Sequence, residues 1–404
     1  MAAKNKKVVF IVVDGMADTP QDGKTPLSAA KKPNMDWFAA HGACGELDLI
    51  SKQMWKTIDQ KGVSQYANVN LLGYGAGRYP LDRGPLEAVG AGIPYEEGHL
   101  ALRCNFATVD KDMRILDRRA GRDAYGLDDI ARYINEHVKI GADYVFKRTY
   151  GHRAVLIIKK QLSAKIAGND VDAGEEVKRV EALGPDAVAE ESAKLVQEFI
   201  DKAHGVMQFH PKNAERIGRK LPPANYVIVR QAGNKLFALP NFARQRKLKG
   251  AVCIAENGVM KATCMLAGFN SITVPELPPS ETLDFIFENI DAALTEYDFV
   301  YAHIKHADEA AHDGDFKGKQ RIVEDIDRRL EQFRNFEGIL VLTCDHITSC
   351  ERKSHMHGNV PVLVYGRGKE KYKSKIKKFD EFSAKRGNLG VMKGRQLLKF
   401  IFSK

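Results

Sequence analysis

The sequence predicts an α/β protein: a mostly parallel sheet flanked by helices, interrupted by an inserted α+β domain. Three observations predict it. Residues 7–13 are β-branched and apolar without alternation, the pattern of a strand buried on both faces of a parallel sheet. From residue 252 onward, short apolar strands alternate with helical periodicities, as in successive strand–helix–strand units. The middle of the chain breaks that rhythm, with strands that lack regular crossover helices between them.

The elements follow in order. The first strand ends in Asp14-Gly15, and Pro33-Asn34-Met35 opens a short helix through Ala40, with proline in its first turn. Strands are expected over 100–109, 154–159 and 226–231, with a strong amphipathic helix over 186–204 and a polar, turn-rich stretch over 168–176. Strands over 252–255, 271–274, 299–304, 339–343 and 360–365 then alternate with helices over 259–266, 281–297 and 319–333. Residues 1–97 and 239–404 are therefore expected to form a core α/β domain, and 98–238 an α+β domain inserted into it. No internal repeat or low-complexity segment interrupts either part.

Composition narrows the function classes. Of 404 residues, 44% are hydrophobic and 28% charged, a globular balance. Apolar runs such as residues 8–13 are too short to cross a bilayer, and the first residues lack the apolar stretch of a secretory signal. Six cysteines (Cys44, Cys104, Cys253, Cys264, Cys344, Cys350) form no CxxC pair, which speaks against a zinc finger or a disulfide framework and for a cytoplasmic location. The net charge of +10 is concentrated in residues 367–378, with seven basic groups against one acidic. One basic stretch reads as a solvated face, so neither nucleic acid nor membrane is an expected partner.

The chemistry concentrates near the C-terminus. Six of the twelve histidines (His303, His306, His312, His346, His355, His357) fall between residues 303 and 357, interleaved with Asp308, Asp313, Asp315 and Asp345. That mixture of imidazole and carboxylate suits Zn, Mn, Fe or Co better than Ca. Three predicted strand ends carry the candidates: Asp14 after the first strand, Asp308 and His312 after the strand over 299–304, and Asp345-His346 after the strand over 339–343. Ligands of open α/β sheets bind outside the carboxyl ends of the strands, with His355 or His357 following on a loop. Six or seven ligands exceed one tetrahedral site. Two divalent ions are the natural reading, and such pairs commonly serve phosphoryl chemistry. Ser64, after Gly62-Val63 and before a predicted helix, is the candidate nucleophile, although a serine there also makes a common helix cap.

Taken together, the motifs resemble the archaeal-type cofactor-independent (2,3-bisphosphoglycerate-independent) phosphoglycerate mutases of the alkaline phosphatase superfamily. The resemblance runs through Val12-Val13-Asp14-Gly15-Met16-Ala17-Asp18, Ala67-Asn68-Val69-Asn70-Leu71-Leu72-Gly73-Tyr74, Arg83-Gly84-Pro85-Leu86-Glu87-Ala88 and Arg103-Cys104-Asn105-Phe106-Ala107-Thr108. It is strongest at Asp308-Glu309-Ala310-Ala311-His312-Asp313-Gly314-Asp315 and Thr343-Cys344-Asp345-His346. It implies an alkaline-phosphatase-like core and interconversion of 3- and 2-phosphoglycerate, in glycolysis and gluconeogenesis, through a phosphoserine on Ser64. It further implies that Asp14, Ser64, Asp345 and His346 serve one metal and Asp308, His312 and His355 the other (Mn, Zn, Co or Mg), with His357 the alternative to His355. By the same resemblance Lys261 assists catalysis, and Arg103, Arg122, Arg153 and Arg230 hold the phosphate and carboxylate of the substrate. The chain departs from the family pattern at Gln65, Cys344, Gly358-Asn359 and Val171-Asp172-Ala173. A phosphatase, or a mutase of another small phosphorylated acid or sugar, is the alternative these departures leave open.

Overall fold

The computed structural model describes residues 7–58, 62–366 and 373–403. Residues 367–372 of the basic stretch therefore lie outside the described residues. The chain divides into two compact units, one of residues 1–79, 238–256 and 263–404, the other of residues 80–237 and 257–262. The sequence reading set the change of domain at 98. The second unit begins earlier because the helix Arg83–Gly90 packs on its sheet, so closely that a Cβ on Gly84 would lie 2.0 Å from the Ala101 carbonyl oxygen.

Strands β1 (Val8–Val13) and β2 (Ala43–Leu47) open the first unit. The second unit holds β3 (His99–Val109), β4 (Ile115–Asp117), β5 (Tyr144–Tyr150), β6 (Arg153–Gln161) and β7 (Tyr226–Gly233). The first unit resumes with β8 (Ala251–Ala255), β9 (Asn270–Thr273), β10 (Phe299–Ile304) and β11 (Ile339–Thr343). It ends with β12 (Ile347–Ser349), β13 (Ser354–Met356), β14 (Val360–Gly366) and β15 (Val391–Met392).

The first unit is the expected α/β fold. Its eight-stranded sheet has the order β15-β2-β14-β11-β1-β10-β8-β9. β1 lies between β11 and β10 and runs parallel to both, with Val12 opposite Thr343 on one side and His303 on the other. Every residue of these three strands is buried, so runs that are apolar apart from His303 and Thr343 are what two helical layers require. The exception to parallel order is β14, antiparallel to both β11 and β2. Antiparallel pairing needs only a short return, and the hairpin β12–β13 occupies the connection from β11.

The second unit is α+β. β3 carries β6 and β7 on its two sides, all antiparallel, with β5 beyond β6. The helix Leu127–His137, absent from the sequence reading, buries Leu127, Ile130, Ala131 and Ile134. The predicted helix over 186–204 extends over Ala187–Met207, its N-terminus capped by the Asp186 carboxylate, which accepts from the Val188 and Ala189 amides.

Within this unit Glu87 is buried against Arg83 at 2.9 Å and Arg103 at 3.6 Å. Burial alone would raise its pKa; the charges of Arg83, Arg103 and Arg153 outweigh burial and hold it at about 2. A carboxyl depressed in the folded state stabilises the fold above its unfolded value, and that contribution is lost as pH falls toward the folded one. Glu87→Gln should therefore be less stable than wild type at pH 5. The gap should shrink by about 2 kcal/mol by pH 3, read from denaturant unfolding at the two pH values. A gap independent of pH would show that the carboxylate is not held by its arginines.

Candidate active site

Because β11, β1 and β10 are adjacent and parallel, their carboxyl ends lie side by side at one edge of the sheet. Asp14 follows β1, Asp345 and His346 follow β11, and Asp308 and His312 sit one turn apart on the helix His306–Asp313 that follows β10. Ser64 lies in the first turn of the helix Val63–Leu71, inside it and not ahead of it. His355 stands on β13, opposite Thr348 of β12.

These side chains form two overlapping groups. Asp14, Asp345 and His346 make one, Asp308, His346 and His355 the other, with candidate ligand atoms of each within 4.8 Å of one another. His346 Nε2 is 2.9 Å from Ser64 Oγ, 3.0 Å from Asp14 Oδ1 and 3.5 Å from Asp345 Oδ2. His312 Nε2 is 3.1 Å from His355 Nε2, and the two lie 3.5 and 3.6 Å from Asp308 Oδ1. His357 turns away: its Nε2 meets the Ile50 carbonyl at 3.1 Å and its ring packs edge-on to Trp55. His303 is buried 3.8 Å from Asp14 Oδ2, and burial pushes its pKa down, against the pull of Asp14.

The electrostatics call for a cation. Burial, then the charges of Asp345 and Asp308, push the Asp14 carboxyl up. For His346, burial opposes charge, but Asp345, Asp14 and Asp308 outweigh it and lift the pKa to about 10. Asp308 goes the other way: burial would raise it, and the His355 contact with the charges of His346 and His312 holds it well below the carboxylate range. Asp14 Oδ1 is buried with no aligned hydrogen-bond donor among the described residues. Oxygen and imidazole nitrogen, mutually repulsive when unprotonated and convergent at 3–3.5 Å, are the donor set a divalent cation takes.

The other predicted residues lie in the second unit. Arg103 and Arg230 face each other in register across β3 and β7, and Arg153 opens β6 opposite Asn105. Arg103 is buried, and burial, then Arg83, Arg230 and Arg153, depress its pKa. Arg230 pairs with Asp170 at 2.9 Å. Arg122 stands on the turn Ala120–Arg122, whose three residues all adopt left-handed φ of 44°, 73° and 59°. Lys261, buried, donates to Asn257 Oδ1 at 3.1 Å on the helix Val259–Leu266.

Comparison with known proteins follows the same lines. Residues 6–404 match the Metalloenzyme superfamily. The chain is 36% identical to 2,3-bisphosphoglycerate-independent phosphoglycerate mutase 1 of Archaeoglobus fulgidus, over 97% of this chain and 96% of that one. It is 33% identical to the protein of the same name from Methanocaldococcus jannaschii, over 98% and 97%. The chain belongs to the 2,3-bisphosphoglycerate-independent phosphoglycerate mutase family. The cofactor-independent phosphoglycerate mutase of Thermoplasma acidophilum superposes with a TM-score of 0.62 at 28% identity, covering 98% of both chains. A Pyrococcus horikoshii protein does so with 0.76 at 27% identity, over 99% and 98%. As a member of the metalloenzyme superfamily the protein is a divalent-metal-binding enzyme.

Three residues escaped the sequence reading as site residues. Asn68 donates to the Ser64 carbonyl at 2.8 Å and to Asp345 Oδ2 at 3.1 Å, and accepts from Tyr301 at 2.6 Å. Its signal was the spacing of four from Ser64, one helical turn. Arg83 carries the same signal toward Glu87. Thr348 donates to Asp308 Oδ1 at 2.7 Å, and its signal was the spacing of two from His346 on an extended segment.

His355→Ala should weaken Mn²⁺ binding, measured by titration calorimetry, at least about tenfold. His357→Ala should stay within about twofold of wild type. The opposite ranking would mean that the loop bearing them offers its other imidazole to the centre.

Proposed function

We propose that the protein interconverts 3-phosphoglycerate and 2-phosphoglycerate through a phosphoserine on Ser64, at a centre of two divalent ions. The observation that carries this reading is Ser64 Oγ, 2.9 Å from His346 Nε2 in the first turn of a helix, at the edge where Asp14, Asp345 and Asp308 converge. A serine hydroxyl is a poor nucleophile at neutral pH and needs a group that lowers its pKa. Bound cations of the Mn, Zn, Co or Mg class supply that lowering and offset the charge of the phosphoryl group. Asp14, Ser64, Asp345 and His346 would hold one ion, and Asp308, His312 and His355 the other. The two overlapping groups support this division, with His346 standing close enough to Asp308 and His355 to belong to both.

The protein's own residues account for the remainder. Ser64 Oγ attacks phosphorus, its bond to phosphorus forms as the bond to the substrate oxygen breaks, and the phosphoryl group is returned to the neighbouring hydroxyl. The first helical turn directs amides toward the developing negative charge. The substrate carries a phosphate dianion and a carboxylate. The second unit gathers Arg103, Arg153 and Arg230, with Arg83, Arg122 and Lys261 on the same unit, the residues suited to bidentate oxyanion recognition. Among the described residues no helix is long and apolar enough to cross a membrane.

Feeding 3-phosphoglycerate to metal-loaded protein should yield 2-phosphoglycerate with little free phosphate. Acid-quenched protein should carry phosphate on Ser64 by mass spectrometry. Ser64→Ala should retain less than a few per cent of turnover, while the carboxylate and imidazole groups still bind metal. Free phosphate as the sole product would make the enzyme a phosphatase. Turnover surviving in Ser64→Ala would remove the phosphoserine.

A further inference from the structure

We propose that Thr348 is a positioning residue of the metal centre: its hydroxyl orients His346 and sets which ring nitrogen is left to bind metal. The inference rests on the reading of His346 as a metal ligand and assigns a role to a residue outside the ligand set.

A threonine hydroxyl has one proton. Thr348 Oγ1 lies 2.7 Å from Asp308 Oδ1 and 3.0 Å from His346 Nδ1. An ionised carboxylate only accepts, so the hydroxyl proton goes to Asp308. The oxygen can then only accept from His346, and Nδ1 carries the hydrogen. In the neutral ring Nε2 is left with its lone pair, on the side of Ser64 Oγ at 2.9 Å and Asp14 Oδ1 at 3.0 Å. A ligating imidazole commonly has its other nitrogen fixed in this way. Because Asp308 Oδ1 also faces His312 and His355, one hydroxyl ties the two groups of candidate ligands together.

The hydroxyl has no freedom to point elsewhere. Thr348 is fully buried. Its amide donates to the Ala17 carbonyl at 3.1 Å, and its carbonyl accepts from Lys319 Nζ at 2.8 Å. Lys319, also fully buried, donates to the Ala17 carbonyl at 3.1 Å and to Asp18 Oδ2 at 2.9 Å. Asp18 in turn accepts from the Cys350 amide at 3.2 Å. The ammonium thus ties the segment after Asp14 to the segment after His346. On the remaining side stands Gly15, with φ of +58°, where a Cβ would come within 2.5 Å of Thr348 Oγ1 and 2.8 Å of Asp308 Oδ1. The glycine after Asp14 is the clearance that lets this contact form.

Thr348→Val keeps the shape and removes the hydroxyl, and Thr348→Ser keeps the hydroxyl. Co²⁺ affinity by titration calorimetry and the visible absorption of the Co²⁺ form are read for both, beside wild type and His346→Ala. Thr348→Val should bind Co²⁺ about 10–100-fold more weakly and with an altered spectrum, and lose kcat on 3-phosphoglycerate with KM changed less than about threefold. Thr348→Ser should recover all of these to within about fivefold of wild type. If Thr348→Val does not fold, Thr348→Ala is read the same way. Wild-type affinity and spectrum in the hydroxyl-less variant, with binding lost in His346→Ala, would overturn the role of Thr348 alone. Unchanged binding in both would overturn the assignment of His346 as a ligand.

Discussion

The structure turns on the register of three parallel strands. With β1 between β11 and β10 in a shared direction, the residues that follow each strand must crowd one edge. Here they are Asp14, Asp345-His346 and, one helical turn on, Asp308 and His312. Carboxylates in a buried place repel one another and have lost their water. The fold tolerates them because imidazoles stand among them, and a bound cation answers the same repulsion more completely. Much around this edge follows from keeping those groups in place: Asn68 on Asp345, Thr348 on Asp308, Tyr301 on Asn68.

The second unit meets the mirror-image problem. Burial, together with the neighbouring charges of Arg83 and Arg153, lowers the pKa of both Arg103 and Arg230, while Glu87 pulls the first and Asp170 the second the other way. As the first unit gathers carboxylates, the second gathers guanidinium groups, and charged groups taken out of water must be paired or hydrogen-bonded.

Much of the first unit was legible from the sequence. Residues 8–13, 299–304 and 339–343 read as doubly buried strands because His303 and Thr343 alone break their run of apolar and aromatic side chains, and the acids that follow them showed where ligands would gather. The antiparallel course of β14 was not legible, because an apolar run records burial and not direction. In the second unit the helix Leu127–His137, though unread, was legible, its buried Leu127, Ile130, Ala131 and Ile134 standing at the spacing of one helical face, and only its start, after a left-handed Gly126 with no side-chain cap, lacked a signal. Of the site, spacing along the chain separated neither His355 from His357 nor the roles of Asn68 and Thr348. Those depend on His357 lying past the end of β13, where its ring turns to the Ile50 carbonyl, and on which hydroxyls and amides the folded chain brings to an acid.

The six cysteines, all buried and free, have a use beyond packing. Burial pushes the Cys104 and Cys350 thiols up to about 12, so in the folded protein they are protonated, shielded and inert toward alkylating reagents. Each becomes reactive only when its surroundings open. Cys104 belongs to the arginine-bearing unit and the other five to the carboxylate-bearing unit. The chain therefore holds native clocks in both halves: the modification rate of each thiol times the opening of its own neighbourhood, without an introduced label.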